Sequence, residues 1–355
     1  MELDQILRFA VKHGISDVHL KVNRPPMFRK DGSLVSQQRT PPVTSEMMDR
    51  WFRQIASERV QAEYAERHEA DLSLSLSGAG RFRINAFSQR GHLAMVFRHI
   101  PPRVKSVAEL GLPPVLESVA DHRRGLVLVT GATGSGKSTT LAAMIESINQ
   151  ARACHIVTIE DPIEFVFEER QAVVNQREVG TDTLSFPAAL RAAMRQDPDV
   201  ILIGELRDLE TVETALQAAE TGHLVLSTLH TVDAMETISR LVGMFPPYQQ
   251  DQVRLQLSTI LRAVVSQRLV RRQGGGRVAA CEIMVRTEYI RDLIADPNRT
   301  HELPEAIRQG KVTYGSQTFD QALLELFHAR QITREEALTN ATNPADLKLQ
   351  MEGIL

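Results

Sequence analysis

Gly131-Ala132-Thr133-Gly134-Ser135-Gly136-Lys137-Ser138 satisfies G-x-x-x-x-G-K-[ST] at every fixed position. The apolar run at 126–129 leads into it and reads as a strand. Behind Lys137, the residues Leu141, Met144, Ile145 and Ile148 recur at helical spacing. Glycines let the backbone curl with its N–H groups facing inward on a phosphate chain, and the following helix adds the positive end of its dipole. A lysine at position 137 reaches the β- and γ-phosphates, and the Ser138 hydroxyl ligates Mg²⁺. Gly131, Thr133, Gly134, Ser135, Gly136 and Thr139 complete the expected nucleotide cradle. This stretch predicts that ATP is bound with Mg²⁺; it leaves open what the energy drives.

Outward from the loop, short apolar runs at 156–159, 200–203 and 224–226 alternate with stretches of helical spacing, among them Leu190, Ala193 and Met194. The stretch 208–220 also reads as a helix, with Asp208 placed to cap it and Gly222 to end it. Such alternation predicts a parallel sheet covered on both faces, a doubly wound α/β domain. Ligands of these sheets bind beyond the carboxyl ends of the strands. Two runs end there in carboxylates: Glu160 and Glu164 after the first, Glu205 after the second. Hydrolysis needs a water aligned with the γ-phosphorus and an acceptor for its proton. It also needs an acidic anchor for hydrated Mg²⁺. Glu164 and Glu205 divide these tasks in an order the sequence leaves open, and Glu160 is a further candidate on the metal side. The competing reading makes them helix caps and surface charges. His230 ends the third run and is expected to face the γ-phosphate; His223 precedes that run and belongs elsewhere.

Before the loop the rhythm differs. Leu3, Ile6, Leu7 and Val11 have helical spacing, as do residues 47–59. Val18, Leu20 and Val22 alternate with polar residues, as do Leu72, Leu74 and Leu76, then Phe82, Ile84 and Ala86. Asp31-Gly32 is a turn pair. A small antiparallel sheet with one or two helices is expected over 1–100. Paired prolines at 101–102 and 113–114 bound a linker, and 115–355 forms the second domain, mostly helical beyond about 245. Arg81 and Arg83 share one strand face, as surface charges or as anion ligands; an arginine presented in trans neutralises charge in phosphoryl transfer. Residues 254–277 hold six arginines and no acidic residue. With the stripe Leu257, Ile260, Leu261, Val264 and Val265 they read as a core helix with a basic edge.

The 355 residues suggest two or three domains. A hydrophobic share of 43% and a charged share of 24% exclude a disordered or fibrous chain. Two cysteines, Cys154 and Cys281, exclude a disulfide scaffold and a four-cysteine zinc site within the chain. The opening Met1-Glu2-Leu3-Asp4-Gln5 lacks the order of a secretion signal, and no apolar run approaches a membrane span, so a cytoplasmic location is expected. A net charge of −3 and the absence of an aromatic-rich basic groove argue against a RecA-like nucleic-acid translocase. Intact Lys137, Glu164 and Glu205 argue against a nucleotide-binding scaffold without turnover.

GATGSGKST, TIEDPIEF, DPDVILIGELRD and TGHLVLSTLHT, in that order, resemble the Walker A, Asp-box, Walker B and His-box motifs of the secretion ATPase superfamily. Ser16-Asp17-Val18-His19-Leu20 and Gly80-Arg81-Phe82-Arg83-Ile84-Asn85 resemble its N-terminal motifs, so the resemblance covers nearly the whole chain. Within it the chain is most similar to the retraction ATPases of type IV pili: extension ATPases are longer and usually carry four zinc-binding cysteines. The stretch Gln317-Thr318-Phe319-Asp320-Gln321-Ala322-Leu323 resembles the C-terminal region of retraction motors. The resemblance implies a PAS-like first domain, a RecA-like P-loop second domain with a helical C-terminal part, and a ring of six copies. It matches Lys137 and Ser138 to the Walker A pair, Glu164 to the Asp-box glutamate, Glu205 to the Walker B glutamate and His230 to the His box. Arg81 and Arg83 match arginines that reach phosphate across domains or subunits. The implied partners are the chain itself, an inner-membrane platform protein at the pilus base, and a paralogous motor; nucleic acid is not among them. Tyr289-Ile290-Arg291-Asp292-Leu293-Ile294-Ala295-Asp296 departs from the A-I-R-x-L-I-R-E motif of main retraction motors, and Ala306-Ile307-Arg308 lacks its remainder, which leaves accessory motors and other secretion ATPases as alternatives.

Overall fold

Residues 2–30, 33–36, 40–100 and 103–354 are described in a computed structural model of the chain. The expected turn at Asp31-Gly32 and the pair Pro101-Pro102 lie outside the described residues. The chain forms two compact units, Met1–Arg103 together with Glu164–Val166, and Val104–Ile163 together with Phe167–Leu355.

The first unit is an α+β layer. Its strands β1 (Asp17–Lys21), β2 (Met27–Lys30), β3 (Ser33–Ser36), β4 (Glu69–Leu76), β5 (Gly80–Gln89) and β6 (His92–Ile100) make an antiparallel sheet of order β3-β2-β1-β6-β5-β4. Helix α1 (Leu3–Lys12) buries Leu3, Ile6, Leu7 and Ala10, the i, i+3, i+4, i+7 stripe of an amphipathic helix. The single helical stretch expected at 47–59 is two helices, α2 (Ser45–Ile55) and α3 (Glu58–Arg67). Ser57 causes the break: its backbone is extended and its side chain accepts from the Val60 N–H, so it starts a new helix rather than continuing the old one. Strand β5 turns Phe82, Ile84 and Ala86 into the core with fully buried Trp51 and Phe97. Each large side chain so buried contributes roughly 1.5–3 kcal/mol.

The second unit is the doubly wound sheet. Strands β7 (Gly125–Thr130), β8 (His155–Glu160), β9 (Val173–Glu178), β10 (Val200–Ile203), β11 (Leu224–Leu229), β12 (Leu261–Arg271) and β13 (Arg277–Val285) lie in the order β13-β12-β7-β11-β10-β8-β9. All neighbours are parallel except β12 and β13. Strands β7, β10 and β11 are buried at every position, as continuous apolar runs in a covered parallel sheet must be. Alternate residues serve opposite faces. Leu126, Leu128, Ile201, Ile203 and Val225 join one core with α6 (Phe186–Ala193), α7 (Leu209–Glu220) and α9 (Gln250–Ile260). The other face takes α5 (Lys137–Ala151), which follows α4 (Val115–Ala120) and buries Leu141, Met144, Ile145 and Ile148. Asp208 caps α7 as the sequence predicts, accepting from the Thr211 N–H at 2.9 Å. Helix α8 (Ala234–Gly243) starts just past the end of β11. The antiparallel sheet with helices expected for the first unit and the doubly wound α/β sheet expected for the second are both present.

Residues 254–277 require a correction. The expected helix stops at Ile260, and Leu261 onward is β12, inserted beside β7 and returning through Gly274-Gly275-Gly276 into β13. Three successive glycines with positive φ make that reversal at no steric expense. The basic edge dissolves accordingly: Arg262 donates to the Arg124 carbonyl, Arg254 to Ile294 O, and Arg268 stacks on Phe319. The helical part expected from about residue 245 is thus interrupted by β12 and β13; beyond β13 the chain continues as α10 (Glu288–Ala295), α11 (Leu303–Gln309), α12 (Lys311–Tyr314), α13 (Phe319–His328), α14 (Arg334–Asn340) and α15 (Pro344–Met351). No helix among the described residues is long and apolar enough to cross a membrane.

Candidate nucleotide site

The sheet order places the carboxyl ends of β7, β11, β10 and β8 side by side. From β7 the chain enters 131–136, where Gly131, Gly134 and Gly136 all have positive φ. A side chain at Gly134 would enter open space, whereas one at Gly131 would strike the Gln267 carbonyl at 2.4 Å. The loop is therefore closed toward β12 and open on its far side. Lys137, the first residue of α5, is buried and turns its Nζ back to donate to the carbonyls of Gly131 at 2.8 Å and Ala132 at 3.1 Å. A fixed ammonium thus sits inside a curve of backbone at a helix N-terminus, the charge pattern that receives polyphosphate. The buried Ser135 hydroxyl has no hydrogen-bond partner among the described residues, a polar atom that a bound anion or water can satisfy. Ser138 and Thr139 are half-exposed beside it. A cleft of about 370 Å³ covers the loop, walled by Val232, Gln267, Leu269 and Arg277.

At the neighbouring strand ends, Glu205 and His230 come together. The Glu205 carboxylate pairs with Arg207 and stands 3.3 Å from His230 Nε2. Glu205 is largely enclosed, while Arg207 and His230 are open to solvent. Residues 204–206 are pinned: Gly204 N–H donates to Ile159 O at 2.8 Å, Thr228 Oγ1 to Gly204 O at 2.7 Å, and Leu206 N–H to Thr228 O at 3.1 Å. The carboxylate therefore projects from fixed backbone. Gly204 lies close against the end of β8, where a Cβ would stand 3.5 Å from Glu160 Cα. Glu160 itself is buried and accepts from Thr158 Oγ1 at 2.6 Å and from Gln176 Nε2 at 3.3 Å. His223, expected elsewhere, is a structural residue: its Nδ1 lies 2.9 Å from the Ala218 carbonyl at the end of α7.

The remaining candidates belong to the first unit. Arg81 and Arg83 share the half-buried face of β5, opposite Phe82 and Ile84. Arg81 donates to Ser73 at 2.8 Å, and Arg83 stands opposite Arg98 in the sheet register. Glu164 falls in the segment Glu164–Val166 of the same unit. In the resembled motif Ser16–Leu20, Asp17 is buried, which works to raise its pKa. Hydrogen bonds from Arg98 at 2.9 Å and from Ser16, with the Arg98 charge, outweigh burial and hold it below the usual carboxylate range. Two residues of this region were not singled out from the sequence, Arg207 beside Glu205 and Gln267 beside the loop. Arg207 stands inside the quoted Walker B stretch; Gln267 was hidden in the span misread as helix.

The chain matches the family profile described as Type II/IV secretion system protein over residues 1–334. It is 47% identical over 344 residues to the type IV pilus retraction ATPase PilT of Pseudomonas aeruginosa, covering 97% of this chain and 99% of that one. It is 41% identical over 353 residues to the type IV pilus ATPase PilU of the same organism, covering 99% and 92%. The crystal structure of the pilus retraction motor PilT with bound ADP superimposes with a TM-score of 0.90 at 45% identity, over 98% of this chain and 99% of that one.

Proposed function

This chain belongs to the type II/IV secretion system protein family, and from that premise we propose how it works as an ATPase that powers retraction of type IV pili. The observation that carries the reading is the similarity to a retraction ATPase over nearly the full chain; the phosphate loop, Glu205 and His230 on adjacent strand ends of one sheet support it.

ATP lies with its phosphates in 131–136, against Lys137 Nζ. Ser138 would hold Mg²⁺ beside the nucleotide, and Glu205 and Glu160 would anchor it through water, since such an ion needs few protein ligands. When bound, the ion neutralises charge between the β- and γ-phosphates. Glu164 and Glu205 share the tasks of orienting water and accepting its proton. His230, beside Glu205, reports whether a γ-phosphate is present. Arg81 and Arg83, on the first, PAS-like domain, act as anion ligands that supply positive charge in phosphoryl transfer. Arg207 and His230 hold the Glu205 carboxylate in place.

The working form is a ring of six copies on the cytoplasmic side of the inner membrane. It docks on the pilus platform protein, alongside a paralogous motor. Nucleic acid plays no part. Higher identity to PilT than to PilU favours the main motor over the accessory one, although α10 carries the departure from the A-I-R-x-L-I-R-E pattern. Deletion of the gene, scored for surface fibres and twitching, tests the reading. Abundant fibres without movement are expected; bald cells would make the chain an assembly motor instead.

A further inference from the structure

Strand β12 outruns β7, and its next residue lies under the phosphate loop. Pairing of the two strands ends with Ser266 opposite Thr130, whose side-chain oxygens are 3.0 Å apart in a hydrogen bond. Gln267 follows, its side chain buried. Its Nε2 donates to the Ser135 carbonyl at 2.8 Å, and its Oε1 accepts from Thr140 Oγ1 at 2.7 Å. One amide thus ties the crest of the loop to the first turn of α5. The approach is close enough to demand glycine: a Cβ at Gly131 would stand 2.4 Å from Gln267 O, and one at Gly136 2.8 Å from Gln267 Nε2.

We propose that Gln267 is a positioning residue of the nucleotide site, fixing the curvature of 131–136 with which backbone N–H groups face a polyphosphate. The proposal rests on the reading of that loop as a nucleotide cradle. The physical reason lies in the peptide plane. In a trans peptide the C=O and the following N–H point in opposite directions. Anchoring the Ser135 carbonyl to β12 therefore turns the Gly136 N–H away from β12. The same amide, held at its other end by Thr140, keeps that plane from rotating. An amide is the side chain for this task because it donates at one end and accepts at the other, matching a carbonyl and a hydroxyl that are both enclosed. A preset loop presents its donors without reorganising when phosphate arrives.

The test is the affinity for a fluorescent ADP analogue with Mg²⁺, measured on the full-length chain well below its melting temperature, with melting of the nucleotide-free protein in parallel. Gln267→Leu is expected to weaken binding by about tenfold or more while the folded fraction stays that of the parent. Thr140→Val, which removes one end of the clamp, is expected to lose part of the affinity, and Thr140→Ser, which keeps the hydroxyl, to restore it. Parent affinity in Gln267→Leu overturns the proposal, as does a loss that only follows the folded fraction. Should Gln267→Leu not fold, the Thr140 pair decides alone: equal affinity in the Val and Ser variants overturns it. Lys137→Ala separates the two levels. Parent-like binding in Lys137→Ala refutes the cradle itself, whereas loss in Lys137→Ala with parent-like Gln267→Leu refutes only the clamp.

Discussion

Glu282 sits in β13 with most of its surface removed from water, and burial pushes its carboxyl pKa up from 4.5 to about 7. The Ala234 N–H, 2.8 Å away at the start of α8, opposes this rise, and so does the Arg268 charge. The Asp233 and Asp320 charges add to it. A raised carboxyl pKa means that the fold favours the neutral acid. The associated stability is complete below pH 4.5 and is lost as pH climbs through about 7. A shift of that size corresponds to at most about 3 kcal/mol, which relaxation and water entry reduce. Glu282→Gln keeps an acceptor for Ala234 and abolishes the titration. Calorimetric melting between pH 5 and pH 8 reads the effect, Trp51 fluorescence identifying the transition of the first unit. The second unit of the parent is expected to lose melting temperature over this range relative to the variant. At about 2–4 °C per kcal/mol for a unit of this size, several degrees should separate them at pH 8. Parallel pH profiles for parent and variant would refute the reasoning.

Glu205→Gln is expected to keep nucleotide while losing turnover by about 10²–10⁴-fold, the range for removing a proton acceptor or metal anchor; analogue binding and phosphate release check the two halves. Asp17→Asn is expected to destabilise the first unit by about 1–2 kcal/mol at pH 7, a modest loss because Arg98 is largely solvated and water screens the pair. Because the Asp17 pKa is lowered in the fold, its stabilisation is present above pH 3.8 and fades as pH falls below it. Urea unfolding read by Trp51, the chain's one tryptophan, should show the gap between parent and variant closing in acid.

The parts of the site that sit on self-contained signals were legible in the sequence. The loop at 131–138 has fixed positions, and strands β7, β8, β10 and β11 carry short, mostly apolar runs alternating with helical spacing, the pattern of a covered parallel sheet. Asp208 was readable as a cap because capping is local. The stripe from Leu257 to Val265 misled because its spacing fits a helix equally well, and only the vacancy beside β7 decides that Leu261 begins a strand. The signal that distinguishes the two was present: Gly274-Gly275-Gly276 between apolar runs is a hairpin reversal. With the strand missed, Gln267 had no reason to be placed under the loop. The break at Ser57 was likewise available, as a serine able to cap the next turn.

The claim beneath all of this is that Lys137, held inside the curve of 131–136, grips the phosphates of an ATP that the chain then cleaves. The most direct measurement is steady-state phosphate release from ATP by the purified chain and its Lys137→Ala variant, both shown to be folded. Release by the parent and none by the variant is the expected result; equal release by the two would contradict the claim.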